Sequence, residues 1–369
     1  MSVLAVGFTA CNKDDEKIKS STELSPAEAK VQTQKMDNDL SKDIVEMFNA
    51  EGMNAIFSLS DLMTSGGFFN GRTGQPVKDH KEILKFKAKE FRRIFVPSRS
   101  VAFGKTTGDG GFNFQENLGV YVWNSSTESF DKTNEIVESI IIKYPLKNSD
   151  TNNVILILSK YEEIELTSTD DSGTSGYLYY LPTKIVAEIK VNNVKQVGLN
   201  FEATYKSQGT PDNANVSLFI NPFTYNLAVN NTGTKSIKVI ASIKKSTTLI
   251  FDALYNFHFE DTEKSILDET EGYVAFREFK LQGTVDVKGM RGLNESADIN
   301  PFVSMVLHKA GSKVGDIVFV YESVNEMGIS YSTHVPYLKY SDGSKEKLET
   351  VFASTFEEIE SYLLEFEGV

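Results

Sequence analysis

The residues best suited to nucleophilic or metal chemistry are four histidines, His80, His258, His308 and His334, and a single cysteine, Cys11. No two histidines stand in the H-x-x-x-H or H-E-x-x-H spacing that places two imidazoles on one helix face, so no zinc motif is present. One cysteine allows neither an internal disulfide nor a thiolate metal cluster. Asp171-Ser172-Gly173-Thr174-Ser175 puts a carboxylate in a turn. Acid–base work of that kind needs two carboxylates sharing a proton, hence two such loops. The other similar run, Asp342-Gly343-Ser344, has a different order, and Ser168-Thr169-Asp170 beside the first is polar. A solvated turn is the expectation there. Gly104-Lys105-Thr106 has the ending of a phosphate-binding loop, but Arg99 occupies the place of its first glycine. Turn-rich Thr107–Gly111 follows where the motif needs a helix. No G-x-S-x-G nucleophile elbow occurs. The sequence thus offers no catalytic residues, no cofactor site and no metal site.

Binding chemistry has more to work with. The chain holds 25 Phe and 15 Tyr but one Trp. Trp123, with Tyr177, Tyr179 and Tyr180, could line an apolar or sugar-stacking pocket, because aromatic faces supply large contact area. Strands also favour Tyr and Phe, so core and sheet packing is the plainer use of these rings. Lys78, Lys81, Lys85, Lys87, Lys89, Arg92 and Arg93 form the one basic concentration in a chain of net charge -13. They fit the solvated side of an amphipathic helix or a face toward anionic lipid or glycan. The acidic balance disfavours nucleic acid as a partner.

Val3 to Ala10 are apolar or small, and Thr9-Ala10 sit directly before Cys11. The stretch Phe8-Thr9-Ala10-Cys11 resembles the lipobox of bacterial lipoproteins. Asn12-Lys13-Asp14-Asp15-Glu16 resembles the acidic export signal of surface lipoproteins from Bacteroidota. Phe8 stands where the lipobox usually has Leu, and no Lys or Arg precedes it, so a start codon further upstream or a trimmed leader is expected. The resemblance implies acylation of Cys11, with Lys13, Asp14, Asp15 and Glu16 as the export signal. It further implies an outer-membrane anchor through N-terminal acyl chains, at the cell surface or facing the periplasm. Leu181-Pro182-Thr183-Lys184-Ile185 and Tyr340-Ser341-Asp342-Gly343-Ser344 are similar to pieces of uncharacterised Bacteroidota lipoproteins, with no activity to carry over.

The elements that must position these groups follow from periodicity. Residues 1–10 read as a signal-peptide remnant and 11–25 as a lipidated Cys with a polar tether. Residues 26–96 read as helical. Ser25-Pro26-Ala27-Glu28 is a capping box, and Met36, Leu40, Ile44, Met47 and Phe48 make one apolar stripe. Gly52 interrupts it, Ile56, Leu59 and Met63 continue in a second helix, and Val77 to Phe95 suggest a third, closed by Pro97. From about Val101 the period becomes two. Phe279, Leu281, Gly283, Val285 and Val287 alternate with Lys280, Gln282, Thr284, Asp286 and Lys288. Similar alternation runs through Ile185–Val191, Leu199–Tyr205, Ile237–Ile243 and Tyr255–Phe259, with a two-residue turn at Asn192-Asn193. Val154–Leu158 is apolar on both faces and is expected to be more central in the sheet; Ile317–Tyr321 is similar. Polar loops are expected at Thr167–Gly176, Ser207–Asn215, Asn230–Lys235 and Tyr340–Lys345. Phe352, Phe356, Ile359, Leu363 and Phe366 form the stripe of a last helix. The fold class is therefore α+β: an antiparallel meander of eight to a dozen strands over 97–369, curved or half-barrel in form, packed with N-terminal helices and one C-terminal helix. Residues 26–369 read as one domain.

Three functions fit. The first is a lipoprotein with a non-catalytic binding or assembly role at the outer membrane, its glycan, lipid or protein partner unspecified. The second is a carrier of a lipid or apolar ligand in a curved-sheet cavity. The third is a hydrolase acting on glycan or peptide, which would need carboxylates or a Ser–His pair converging in one cleft.

Overall fold

The computed structural model describes residues 22–65, 112–169, 176–207, 209–326 and 329–358. Two helices open it, α1 (Pro26–Phe48) and α2 (Glu51–Ser65). The expected capping box closes α1: Ser25 Oγ accepts from Glu28 N, and the Glu28 carboxylate accepts from Ser25 N at 3.1 Å.

Sixteen strands follow in one open sheet. They are β1 (Gly119–Asn124), β2 (Ser129–Lys132), β3 (Ile140–Tyr144), β4 (Val154–Thr169), β5 (Gly176–Val191), β6 (Val194–Tyr205), β7 (Pro211–Ile220) and β8 (Phe223–Asn230). Then come β9 (Ser236–Lys245), β10 (Thr248–Phe259), β11 (Leu267–Phe276), β12 (Phe279–Asp286), β13 (Val303–Lys309), β14 (Ser312–Glu326), β15 (Ile329–Lys339) and β16 (Lys345–Lys347). From β3 to β16 consecutive strands pair antiparallel; β1 lies parallel to β3 and carries β2 at the edge.

The α+β meander is thus as expected, but it has more strands than the dozen foreseen. β7 begins inside the stretch read as a loop, and β11 opens with Leu267-Asp268-Glu269-Thr270-Glu271, too polar to announce a strand. Val154–Leu158 lies inside the sheet, paired with β3 and β5, in the fourth place from the β2 edge. The turn at Asn192-Asn193 is as read, both residues in the left-handed region.

The alternate strand ends differ. At one edge the connections are short, and α1 and α2 run along them. Leu24 N donates to Lys313 O at the β13–β14 turn, and Lys309 Nζ donates to Gln32. Arg277 of the β11–β12 turn reaches Asp43 at 2.7 Å, and Lys245 at the end of β9 reaches Glu46. Next, Gly52 meets the β5–β6 and β7–β8 ends: a Cβ there would fall 2.7 Å from Gln196 O and 2.9 Å from Val197. Only glycine lets the helix approach the sheet edge so closely. Tyr144 Oη then donates to Ala55 O at 3.0 Å, and Lys147 N to Ser58 Oγ at 3.0 Å. The lengths agree. A 23-residue helix spans about 35 Å, and the strands from β14 to β8 span about 29 Å at about 4.8 Å each.

The buried core follows the helices. Ala29 and Met36 pack with Phe276, Phe279, Leu307, Val314, Ile317 and Leu338. Ala50 and Ala55 pack with Ile140, Ile142, Tyr144, Val154, Ile189, Val197 and Ile220. Each of the larger apolar side chains among them contributes about 1.5–3 kcal/mol of burial. Residues 353–358 form a helix that docks on α1. The buried Asp37 carboxylate accepts from Ser354 N at 2.9 Å and Thr355 N at 2.8 Å, capping that helix from another element. The expected remainder of this last helix, with Ile359, Leu363 and Phe366, lies outside the described residues, as does the third helix expected at Val77–Phe95.

Candidate functional site

Directly paired residues share a sheet face, so the register sorts the sheet into two faces. One is apolar. Across it run Phe201–Val216–Leu227–Ala241–Ala253–Val274–Leu281–Leu307 in one row. The next row is Ala203–Ala214–Val229–Val239–Tyr255–Gly272–Gly283–Met305. The other face is the more polar: Asn200–Ser217–Asn226–Ser242–Asp252 form a ladder, Glu202 pairs with Lys184 and Tyr273 Oη donates to Asp252 at 2.8 Å, beside one apolar row, Ala228–Ile240–Leu254.

The apolar face is the inner one. The core residues under α1 and α2 belong to it, so the helices lie on that side. Gly272 and Gly283 face each other across β11 and β12. A Cβ on either would project to the apolar face and fall 2.2 Å from Leu254 O or 2.0 Å from Ser304 O. The flanking strands are therefore folded toward that face, a bend that glycine permits. Bulges interrupt the register in β4, β5, β6, β7, β10 and β11, and each adds local bend and twist. A transmembrane barrel carries the opposite arrangement, apolar outside and polar within. No helix among the described residues is long and apolar enough to cross a membrane.

The site is thus a trough. α1 and α2 border it below as a floor, and the upper ends of β6–β11 form its walls. Phe201, Val216, Leu227, Val229, Val239, Tyr255, Ile237 and Phe257 are half-buried, and no described helix packs on them. Tyr205 and Tyr225 lie on the same face, their phenols pushed up to about 12 by burial. Neutral phenol is the form that such a wall holds.

The residues singled out in the sequence fall in separate places. Trp123, on β1, packs edge-on against Phe130 at 5.0 Å, and its carbonyl accepts from Asn152 at 2.9 Å. Tyr180 pairs with Glu165, and its Oη donates to that carboxylate at 2.8 Å. Between the level of Trp123, beside Val154, and that of Tyr180 lie eleven positions of β4, roughly 36 Å at about 3.3 Å per residue. Trp123 and Tyr180 are therefore not brought together. By register Tyr177 pairs with Ser168 and Tyr179 with Leu166. Cys11, Lys13, Asp14, Asp15, Glu16, Asp171, Gly104–Thr106, His80 and the basic run 78–93 lie outside the described residues.

His258 lies on the polar face as read, 3.5 Å from Glu271. His308 is held below the ordinary imidazole value, first by burial and then by Lys280 and Lys313. His334 contacts Ala297 O at 2.8 Å. Among the described residues no group of acids, histidines and cysteine could hold a metal.

Strand-by-strand alternation identified most of the trough's wall but missed the glycine bend. Its signal was present: Gly272 and Gly283 stand four residues either side of the closing pair Phe276–Phe279. No protein-family model matches the chain, and no curated protein and no solved structure shows significant similarity to it.

Proposed function

We propose that this protein is a membrane-anchored, non-catalytic binding protein whose ligand is apolar and lies in the trough of the curved sheet. One observation supports the reading: the apolar face continues across β6–β11 well beyond the strip that α1 and α2 cover. A half-buried apolar face of this extent, walled by strands and closed below, suits a long hydrocarbon ligand. The anchor is the acylated Cys11 at the outer membrane, with Lys13 to Glu16 as the export signal; the Phe8–Glu16 sequence supports it, and two or more acyl chains give stable attachment.

The neutral dye Nile red, displaced by hexadecan-1-ol, tests the trough. Saturable binding is expected in the wild type and its loss in Leu227→Asp, with Asn226→Asp on the polar face as the control. Equal binding by all three proteins would defeat the reading. Palmitate labelling tests the anchor: wild type should label, and label on Cys11→Ala would refute it.

A further inference from the structure

The trough has a rim, at the end of the strands away from the helices, and the rim has a charge. Asn231 follows Asn230 by one position, and Asn230 pairs with Lys238 on the polar face, so Asn231 turns to the apolar side. It is 3% exposed, and its Nδ2 donates to Pro211 O at 3.0 Å. Lys264, from the β10–β11 connection, leans across β9 and donates to both Asn231 O, at 2.9 Å, and Asn231 Oδ1. No described carboxylate forms an ion pair with Lys264. Lys206, at the end of β6, adds a second ammonium; its carboxylate neighbour Asp212 stands at 3.7 Å. Burial, and after it the Lys206 charge, hold the Lys264 amine below the ordinary lysine range, while Asp212 acts the other way.

We propose that Lys206 and Lys264 form a head-group site for a long-chain carboxylate, whose hydrocarbon tail lies along β6–β10 with its end toward the helical floor. This rests on the trough reading above. Two ammoniums and one carboxylate leave a single net positive charge, which matches a monoanionic carboxylate better than a phosphate dianion. Lys264 has three donors, and Asn231 takes two, so one remains for a ligand oxygen. The depth suits the tail. Asn231 to Tyr225 is six positions of β8, roughly 20 Å at about 3.3 Å per residue. One leaflet of hydrocarbon is about 15 Å, half of a bilayer core.

The experiment compares hexadecanoate with hexadecan-1-ol at pH 8 by titration calorimetry. Hexadecanoate should bind about tenfold tighter, the value of a charge-assisted hydrogen bond. The double variant Lys206→Gln, Lys264→Gln should bind both with the alcohol's affinity, its circular dichroism unchanged because Gln can still donate to Asn231. Equal affinity of the two ligands for the wild type, or an undiminished preference in the variant, would overturn the head-group site and leave the trough standing. Displacement of hexadecanoate by millimolar inorganic phosphate would overturn it in favour of a free-anion site. Failure of both ligands to bind would overturn the trough and the head-group site together.

Discussion

The lower and upper strips of the inner sheet face are made of the same residue types, yet they are held differently. In the lower strip Phe223 and Leu338 are wholly buried, Phe276 and Phe279 nearly so, along the edge where α1 and α2 run. In the upper strip Phe201, Leu227 and Phe257 are half-buried, without a described helix over them. Composition does not separate the two strips; proximity to the helices does. The lower strip is where folding free energy is stored, and the upper is where an apolar ligand can still gain it.

The comparison is sharpest for large-to-small changes. Phe279→Ala should cost about 3–5 kcal/mol in urea unfolding. Phe257→Ala should cost under about half of that while weakening hexadecan-1-ol binding. Equal costs would erase the distinction between strips. Next, Gly283→Ala puts a Cβ against Ser304 O and Met305 at distances that demand backbone movement. Its expected cost is about 1–3 kcal/mol, with weaker ligand binding because the trough straightens; a neutral result in both assays would remove the bend from the account. Arg277→Ala leaves Asp43, whose side chain is 6% exposed, without its cation. A loss of about 1–3 kcal/mol is expected, confined to stability, since the pair fastens the floor and not the wall.

The smallest effect is alkaline. The phenols of Tyr205 and Tyr225, pushed up by burial, and that of Tyr273, pushed up by burial and then by Asp252, sit at about 12. In the unfolded chain they titrate near 10. The fold therefore favours the neutral form: the stabilisation is complete below about pH 10 and falls away as pH rises toward about 12. Urea midpoints measured at pH 8, 10 and 11 should fall slightly in the first step and most in the last, and Tyr225→Phe should soften that fall.

Much of this architecture is legible in the sequence. Alternation in β5, β6, β9, β10 and β12 is a local signal, as is the Ser25–Glu28 cap, and both appear where they were read. β7 and β11 were obscured because their outer face is polar and their ends are more so; pairing partners, not propensity, hold them in the sheet. The site was less legible. Trp123 and Tyr180 drew notice as aromatics, but which rings share a surface depends on register summed over many strands. Lys264 could not be found at all by pattern, since a lysine in a polar loop looks the same wherever that loop leans.

The cap that Asp37 supplies to residues 354 and 355 has a kinetic side. Nearly every strand pairing joins sequence neighbours, so the sheet can zip up as the chain emerges, one hairpin at a time. The Asp37–Thr355 contact joins residues 318 apart, and Thr355 is synthesised only after all sixteen strands, a long loop to close. In a chain delivered N-terminus first, α1 must therefore wait for the C-terminal turn before its acidic flank is satisfied. Completion of the floor is a late event, and a truncation before residue 354 should leave the meander paired and the floor loose.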